Sequence, residues 1–297
     1  MEDHGGIVTA ECMERPGEEL PARRSAEQAS ADGRGAAAVE VLRRHSRAIT
    51  ALRGFREIVL ISGVYLLYDL TRYLVKGHQA EAFSHAARLL HLEAVLDLDP
   101  ESWLNHIVSA HMVIGLASDY IYATLHYIVT PVVLIWLWRR HSASYSSART
   151  VLMVATIIGL VGFSLLPVAP PRMLPGFVDT MARFSHYGWW GNAASAPRGL
   201  GVDTNQFAAM PSLHVGWALW CGWQMVRHGR HLTTKVLGVL YPVVLSLDVV
   251  ATANHYLMDV VAGVVVVVLA AALVWLMRFT WRRLEPHLPL HRFRLAG

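Results

Sequence analysis

The sequence predicts an all-α membrane protein, organised as a bundle of six transmembrane helices. Hydrophobic residues make up 54% of the 297 residues, charged residues make up 16%, and the mean hydropathy is +0.35. These values favour a polytopic membrane protein over a soluble domain. Six mostly apolar runs approach the roughly 20 residues that a helix needs to cross a bilayer, and the third and fourth are the shortest. They comprise residues 58–75, 113–138, 151–166, 211–226, 236–253 and 256–277.

Basic residues cluster at every second boundary of these runs, which predicts the orientation of the chain. By the positive-inside rule both termini are cytoplasmic, and residues 76–112, residues 167–210 and the turn around residue 254 face outward. We therefore expect a multi-pass protein of the plasma membrane. Because these residues flank apolar runs, they are interpreted as topology signals, and no nucleic-acid partner is expected. They are Arg43, Arg44, Arg47, Arg53, Arg56, Arg139, Arg140, Arg149, Arg227, Arg230, Lys235, Arg278, Arg282, Arg283, Arg292 and Arg294.

Composition divides the chain into three parts. Residues 1–50 are rich in Ala, Arg, Glu and Gly and lack an apolar stretch, so we expect a disordered cytoplasmic segment without a cleavable signal peptide. Residues 51–280 hold the apolar runs and form the predicted membrane domain, and residues 281–297 form a basic cytoplasmic tail. Since Cys12 and Cys221 are the only cysteines, no disulfide framework is expected.

Polar residues interrupt the first run and shape the outer segment that follows it. Asp69 and Arg72 are three residues apart and are expected to pair on one helix face. Residues 81–107 open with small and apolar side chains at helical spacing, from Phe83 to Ala94. This pattern predicts an amphipathic helix that lies on the membrane surface.

The second apolar run contains a polar stripe formed by Asp119, Tyr122 and His126. Ionisable groups inside a membrane usually face a cavity or a partner and mark a functional site. A hydrogen bond between helices that fixes their packing is the equally weighted alternative. We favour binding of a substrate headgroup by Tyr122 and His126.

The third run ends in a proline-rich segment, residues 167–173, which contains Pro170, Pro171 and Arg172. The prolines stop the helix and stiffen the backbone, so Arg172 is held by a rigid segment. A guanidinium stays charged and binds phosphate oxygens through two parallel hydrogen bonds. Arg172 is therefore a candidate phosphate ligand, and the long loop 175–206 is a candidate cover for the site.

The fourth run begins with the sequence Ala-Ala-Met-Pro-Ser-Leu-His, residues 208–214. Pro211 suits the first helical position because its fixed φ matches a helix and its missing N–H needs no partner. The N–H groups of Ser212, Leu213 and His214 would then point out of a positive helix end, which is a site for phosphate. Ser212 and His214 are accordingly candidate site residues.

A second histidine stretch, Asn-His-Tyr-Leu-Met-Asp at residues 254–259, opens the sixth run. On a helix His255 and Asp259 share one face with Cβ atoms about 6 Å apart. A carboxylate at that distance holds the imidazole in one tautomer and stabilises its cation. Asp248 lies two turns deeper and either tunes this histidine, binds a cation or bonds to a neighbouring helix. The combination suggests phosphoryl transfer through a histidine nucleophile.

These residues together resemble the three signature motifs of the type 2 phosphatidic acid phosphatase superfamily. The motifs correspond here to residues 170–172, residues 211–214 and the His255-x-x-x-Asp259 pair. The longer phrases at 208–214 and 254–259 are closer to the inositol phosphorylceramide synthase-like branch. The resemblance covers roughly residues 58–280 and omits both ends of the chain.

The resemblance implies a six-helix bundle with an active site at the outer leaflet that uses neither a metal nor another cofactor. By position, His255 is the nucleophile, Asp259 orients it and His214 protonates the leaving oxygen, while Arg172 and Ser212 hold the phosphoryl group. The superfamily's first motif usually has a Lys before an Arg-Pro pair, and no Lys lies between Lys76 and Lys235. Neutralisation of the phosphate charge therefore depends more heavily on Arg172.

Chemistry leaves the acceptor and the activity class open. Phosphoryl transfer needs an in-line nucleophile, stabilised equatorial oxygens and a protonated leaving group, and the expected substrate is a phospholipid or a polyprenyl phosphate among membrane lipids. Water as acceptor makes a phosphatase, and an alcohol makes a phosphotransferase. Two other classes are a non-haem iron or zinc site, disfavoured by the charge of Arg172, and a non-enzymatic lipid transporter or scramblase that tolerates loss of His255.

Overall fold

The computed structural model describes residues 54–64, 66–67, 79–190 and 206–284. Contacts divide the chain into two units, Met1–Ser62 and Gly63–Gly297. The described residues of the first unit, 54–62, are helical, and this helix, α1, is described as far as residue 64. The predicted segment 1–50, the Asp69–Arg72 pair and most of the tail lie outside the described residues.

The regular secondary structure described in the second unit consists of helices. No strand occurs in the described ranges, which confirms the all-α prediction, and an isolated parallel bridge joins Val168 and Ala208. The α-helices are α2 (Gln79–Val95), α3 (Glu101–Ala110), α4 (Met112–Arg140), α5 (Ser142–Leu165), α6 (Thr180–Arg183), α7 (Leu213–His228), α8 (Leu232–Ala251) and α9 (Leu257–Leu284).

Four of these helices are long and apolar enough to cross a membrane: α4, α5, α8 and α9. They correspond to the predicted runs at 113–138, 151–166, 236–253 and 256–277, which are thereby confirmed. Helix α7 has 16 residues and does not reach that length. The first predicted run extends into residues that are not described, so the count of six remains a prediction. Helix α9 continues four residues past the predicted domain boundary at residue 280.

Helix α7 packs against α4, α5, α8 and α9 and lies at the centre of this unit. Small residues allow the close approach, because a Cβ added at Gly222 would overlap the backbone oxygen of Gly238 on α8. Trp220 is buried and its indole N–H donates to the carbonyl oxygen of Ala148 on α5 at 2.9 Å. Packing on several sides explains how a helix too short to cross a bilayer by itself is held among longer ones.

The outer segment forms two helices where the sequence predicted one. Helices α2 and α3 are separated by a turn in which Asp97 has a positive φ of 52°. The buried side chains of α2 are Ala82, Ala86 and Glu93, so the buried face is not the one that the apolar spacing indicated. Because α2 contacts α9 and α3 contacts α8, this segment covers the end of the unit where α8 ends and α9 begins.

Candidate active site

Two of the predicted motif loops and the start of α9 meet at this end. Val168 pairs with Ala208 in the isolated parallel bridge, which joins the segment after α5 to the segment before α7. The buried Tyr256 donates its hydroxyl hydrogen to the carbonyl oxygen of Ala169 at 2.9 Å. The three stretches that carry the sequence motifs are therefore brought together by a backbone bridge and a side-chain hydrogen bond.

His255 lies in the turn between α8 and α9 and is 4% exposed. Its Nδ1 atom is 2.8 Å from the carbonyl oxygen of Ala209 and 3.4 Å from Oδ2 of Asp259. A carbonyl oxygen can only accept a hydrogen bond, so Nδ1 carries the hydrogen and donates it. The lone pair of the imidazole is consequently on Nε2, which is the atom available for attack.

Asp259 lies in the first turn of α9 and is fully buried. Its Oδ2 atom accepts hydrogen bonds from Nδ1 of His255 and, at 2.9 Å, from the backbone N–H of Tyr256. The sequence prediction placed His255 and Asp259 on one helix face, but α9 begins only at Leu257. The pair forms because the carboxylate reaches back across the helix start, as in a capping interaction.

His214 occupies the second position of α7 and lies within a cluster of aromatic rings. Its ring stacks on Tyr122 at a centroid distance of 4.6 Å and meets His126 edge-on at 4.4 Å. On the other side the ring centroid of His255 is 5.6 Å away. Tyr122 and His126 are buried on α4, so they are placed where they support His214. Their predicted contact with a headgroup stays a prediction.

The start of α7 differs from the prediction in a way that concerns Ser212. The helix begins at Leu213, and Ser212 is the N-cap whose Oγ accepts a hydrogen bond from the N–H of Val215 at 3.4 Å. The N–H of Ser212 donates to the carbonyl oxygen of Asp259 at 3.0 Å. Within the described residues the N–H groups of Leu213 and His214 have no acceptor, and they remain suited to a phosphate oxygen.

Arg172 is held in a single 3₁₀ turn, Pro171–Met173, and its side chain is 4% exposed. Its backbone N–H donates to the carbonyl oxygen of Ala253 at 2.8 Å, and its Nη1 donates to the side-chain oxygen of Asn254. Its Nε lies 3.6 Å from Oδ2 of Asp179. A guanidinium has five N–H donors, so these contacts fix its position and leave donors for phosphate oxygens.

Asp248 is buried on α8, and its contacts point towards α4. Its side chain accepts a hydrogen bond from Ser118, and the charge of Asp119 acts on it. Asp119 in turn accepts a hydrogen bond from Thr180 at 2.7 Å. These contacts fit the interhelical alternative, and the predicted role in substrate binding is a prediction that they do not test.

Five contributions to the site were not recognised in the sequence. Asn254 is adjacent to His255 in the quoted phrase and could have been found there, whereas Asp179 stands in a loop without a motif. The carbonyl of Ala209 is a backbone group and leaves no trace in a sequence. Glu93 and Glu101 accept hydrogen bonds from the first N–H groups of α9, over separations of 165 and 156 residues. Such distant contacts have no local signature.

The arrangement contains the parts that phosphoryl transfer through an imidazole requires. Nε2 of His255 lies next to a second imidazole, with the guanidinium of Arg172 held against the turn that carries His255 and two N–H groups at a helix start. Among the described residues no group of three or more His, Cys, Asp or Glu side chains has the geometry to hold a metal ion.

Comparison with known proteins identifies the family. The crystal structure of Aquifex aeolicus LpxE is similar to this chain at 16% identity and a TM-score of 0.43, covering 60% of this chain and 94% of that one. No curated protein matches the chain. A family model described as the PAP2 superfamily matches residues 87–273. This range is more than half of the 297 residues and includes Arg172, His214 and His255, and the chain therefore belongs to the PAP2 superfamily.

Proposed function

We propose that this protein is an integral-membrane lipid phosphatase or phosphotransferase that acts on a phospholipid or an isoprenoid phosphate through a phosphohistidine intermediate. The observation that carries the proposal is the geometry of His255. Its Nδ1 hydrogen bond to the carbonyl oxygen of Ala209 at 2.8 Å directs the lone pair to Nε2, on a ring 5.6 Å from that of His214.

In the first step Nε2 of His255 attacks the phosphorus atom, and the bond between phosphorus and the lipid oxygen breaks. His214 takes a proton from the phosphate monoanion of the bound substrate and passes it to the departing oxygen. Arg172 and the N–H groups of Leu213 and His214 stabilise the equatorial oxygens, which carry the developing charge. The carboxylate of Asp259 offsets the positive charge that the phosphorylated ring acquires.

In the second step an acceptor oxygen attacks the phosphohistidine. His214, now neutral, takes the proton of the acceptor as the bond between phosphorus and Nε2 breaks and the lone pair returns to nitrogen. Water as acceptor gives phosphate and completes hydrolysis. With a monoester donor an alcohol gives a new phosphate monoester. With a diester donor, whose headgroup stays on the phosphorus in the intermediate, an alcohol gives a phosphodiester, which is the transferase activity implied by the motif phrases of the inositol phosphorylceramide synthase-like kind.

The site is proposed to face the outer leaflet of the plasma membrane, with both termini cytoplasmic. The support is the basic residues Arg139 and Arg140 at the end of α4 and Arg282 and Arg283 at the end of α9. These ends lie opposite the start of α9, which follows His255. Reporter fusions to each terminus test the orientation, and a periplasmic or extracellular signal from either one would overturn it.

The activity is tested by phosphate release from phosphatidic acid, lysophosphatidic acid, polyprenyl diphosphate and phosphatidylinositol, with vanadate as inhibitor. His255→Ala is expected to abolish activity, while His91→Ala, which changes an exposed histidine on α2, leaves it intact. Consumption of a diester donor only when an alcohol is added identifies a transferase. Movement of lipid between leaflets that survives His255→Ala, without any phosphoryl transfer, would replace this proposal by a transporter or scramblase.

A further inference from the structure

Three carboxyl groups receive the first N–H groups of the turn that leads from His255 into α9. Asp259 accepts the N–H of Tyr256 at 2.9 Å, Glu101 accepts that of Leu257 at 2.7 Å, and Glu93 accepts that of Met258 at 2.7 Å. A helix start leaves such N–H groups without partners inside the helix, and its partial positive charge attracts carboxylates. Through Glu93 and Glu101, helices α2 and α3 thus fix the start of α9, which carries Asp259 and directly follows His255 in the chain.

Glu93 and Glu101 are both fully buried. Each uses Oε1 to bind the backbone of α9, and the other oxygen of each, Oε2, has no donor among the described residues. The two side chains are in hydrogen-bonding contact with each other. Two acceptor oxygens can bond only if a proton lies between them, so a single proton held by the pair would satisfy both Oε2 atoms, which have no other donor among the described residues.

Burial is the main reason that the proton is retained, since it raises the pKa of Glu93 to about 8. The N–H of Met258 lowers that pKa, whereas Glu101 and Asp259 raise it. Burial likewise raises the pKa of Glu101, with Asp99 adding to the effect. The ionisable groups that act on the pair are therefore Asp99 from the loop before α3 and Asp259 from α9, with Tyr256 next to both.

We propose that Glu93 and Glu101 act as a proton-sharing carboxyl pair that positions His255 and Asp259, and that loss of the shared proton sets the alkaline limit of activity on substrates whose leaving group needs no proton from His214. The proposal rests on the phosphoryl-transfer function proposed above. With one proton the pair carries one negative charge and clamps the start of α9. Without it, two adjacent buried charges repel each other and Asp259, and the helix start shifts relative to Ala209 and His214.

Glu93→Gln tests the pair directly. A glutamine keeps a carbonyl oxygen for the N–H of Met258 and offers an amide hydrogen in place of the shared proton, so a rise in pH no longer gives the pair a second negative charge. The substrate is an aryl phosphate, whose leaving group needs no proton from His214. In wild type we expect kcat for this substrate to fall as the pH rises through about 8. In Glu93→Gln we expect kcat to persist on the alkaline side, with KM little changed.

Two further variants complete the set. Glu93→Ala removes the acceptor and is expected to lower kcat about 100-fold at every pH, because a small displacement of reacting groups has that effect. Glu81→Gln changes an exposed carboxyl on the same helix and is expected to reproduce the wild-type profile. The proposal is overturned if Glu93→Gln follows the wild-type alkaline limb, or if Glu93→Ala retains the wild-type kcat.

A second measurement on the full-length protein separates this proposal from the enzymatic one, because it needs no activity. A carboxyl that binds its proton more tightly in the folded state makes stability fall as the pH rises from its ordinary value of 4.5 towards about 8. The unfolding temperature of wild type should therefore fall over this window more than that of Glu93→Gln. Equal slopes would refute the shared proton even if no lipid phosphate were ever cleaved.

Discussion

Replacing Asp259 by asparagine distinguishes two roles that one carboxylate can have beside a catalytic histidine. The carboxylate can select the tautomer of His255, or it can offset the positive charge of the ring during reaction. In this protein the carbonyl oxygen of Ala209 lies 2.8 Å from Nδ1, closer than the carboxylate oxygen at 3.4 Å. The Asp259→Asn substitution would leave the Ala209 contact unchanged, so the tautomer should survive it.

The expected decrease in kcat for Asp259→Asn follows from the loss of the carboxylate's negative charge alone. At about 4 Å and an effective dielectric constant near 20, two unit charges interact by about 4 kcal/mol. If roughly half a positive charge develops on the ring in the transition state, about 2 kcal/mol is lost, which lowers kcat about 30-fold. In a triad whose aspartate alone sets the tautomer, the same replacement lowers kcat about 10⁴-fold.

The assay is single-turnover formation of the acid-labile phosphoenzyme together with steady-state kcat. Asp119→Asn is the matched control, because it also removes a fully buried carboxylate but one that bonds to Thr180. We expect this control to form the phosphoenzyme at close to the wild-type rate. A loss of about 10⁴-fold in Asp259→Asn, with the fold intact by thermal unfolding, would refute the assignment of the tautomer to Ala209.

Three other substitutions test the remaining parts of the site. His214→Gln should lower turnover of alkyl phosphates about 10²- to 10⁴-fold but spare attack on an aryl phosphate, whose leaving group needs no proton; equal losses for both in a burst assay would contradict the acid role. Arg172→Lys keeps the charge but not the fork that binds Asn254 and phosphate, and should lower kcat/KM at least tenfold in steady-state assays; an unchanged value would show that Arg172 is only structural. Gly263→Ala places a methyl group onto the carbonyl oxygen of Ser212, so it should lower both the unfolding temperature and kcat, whereas an unchanged unfolding temperature would contradict the contact.

The candidate site residues could be selected from the sequence because each lies in a short local pattern. Arg172 follows two prolines, His214 follows a serine that caps a helix, and His255 precedes an aspartate by four residues. Apolar length alone predicted the four helices that can cross a membrane. These patterns involve residues that are close together in the chain, so they can be recognised without knowledge of the tertiary structure.

The unpredicted features depend on contacts between distant segments or on backbone atoms. Helix α7 begins two residues later than Pro211 suggested, because the N–H of Ser212 bonds to the carbonyl oxygen of Asp259. Glu93 is an acid among apolar residues and would ordinarily be assigned to a solvent-facing side, yet it is fully buried against the N–H of Met258. A sequence pattern gives the period of a helix but not the partner that satisfies a buried charge.

The shortness of α7 gives the surrounding lipid a part in the reaction. Its 16 residues extend about 24 Å, whereas the hydrocarbon layer of a bilayer is about 30 Å thick. With Arg227 and His228 at the headgroups of one leaflet, His214 at the other end lies beneath the opposite headgroup plane. A substrate phosphate can reach His214 if it moves below the headgroup plane or if the bilayer thins around α7. Both changes cost less free energy in a thinner membrane. We therefore expect turnover to depend on the acyl chain length of the surrounding lipid, in addition to the chemistry of the headgroup.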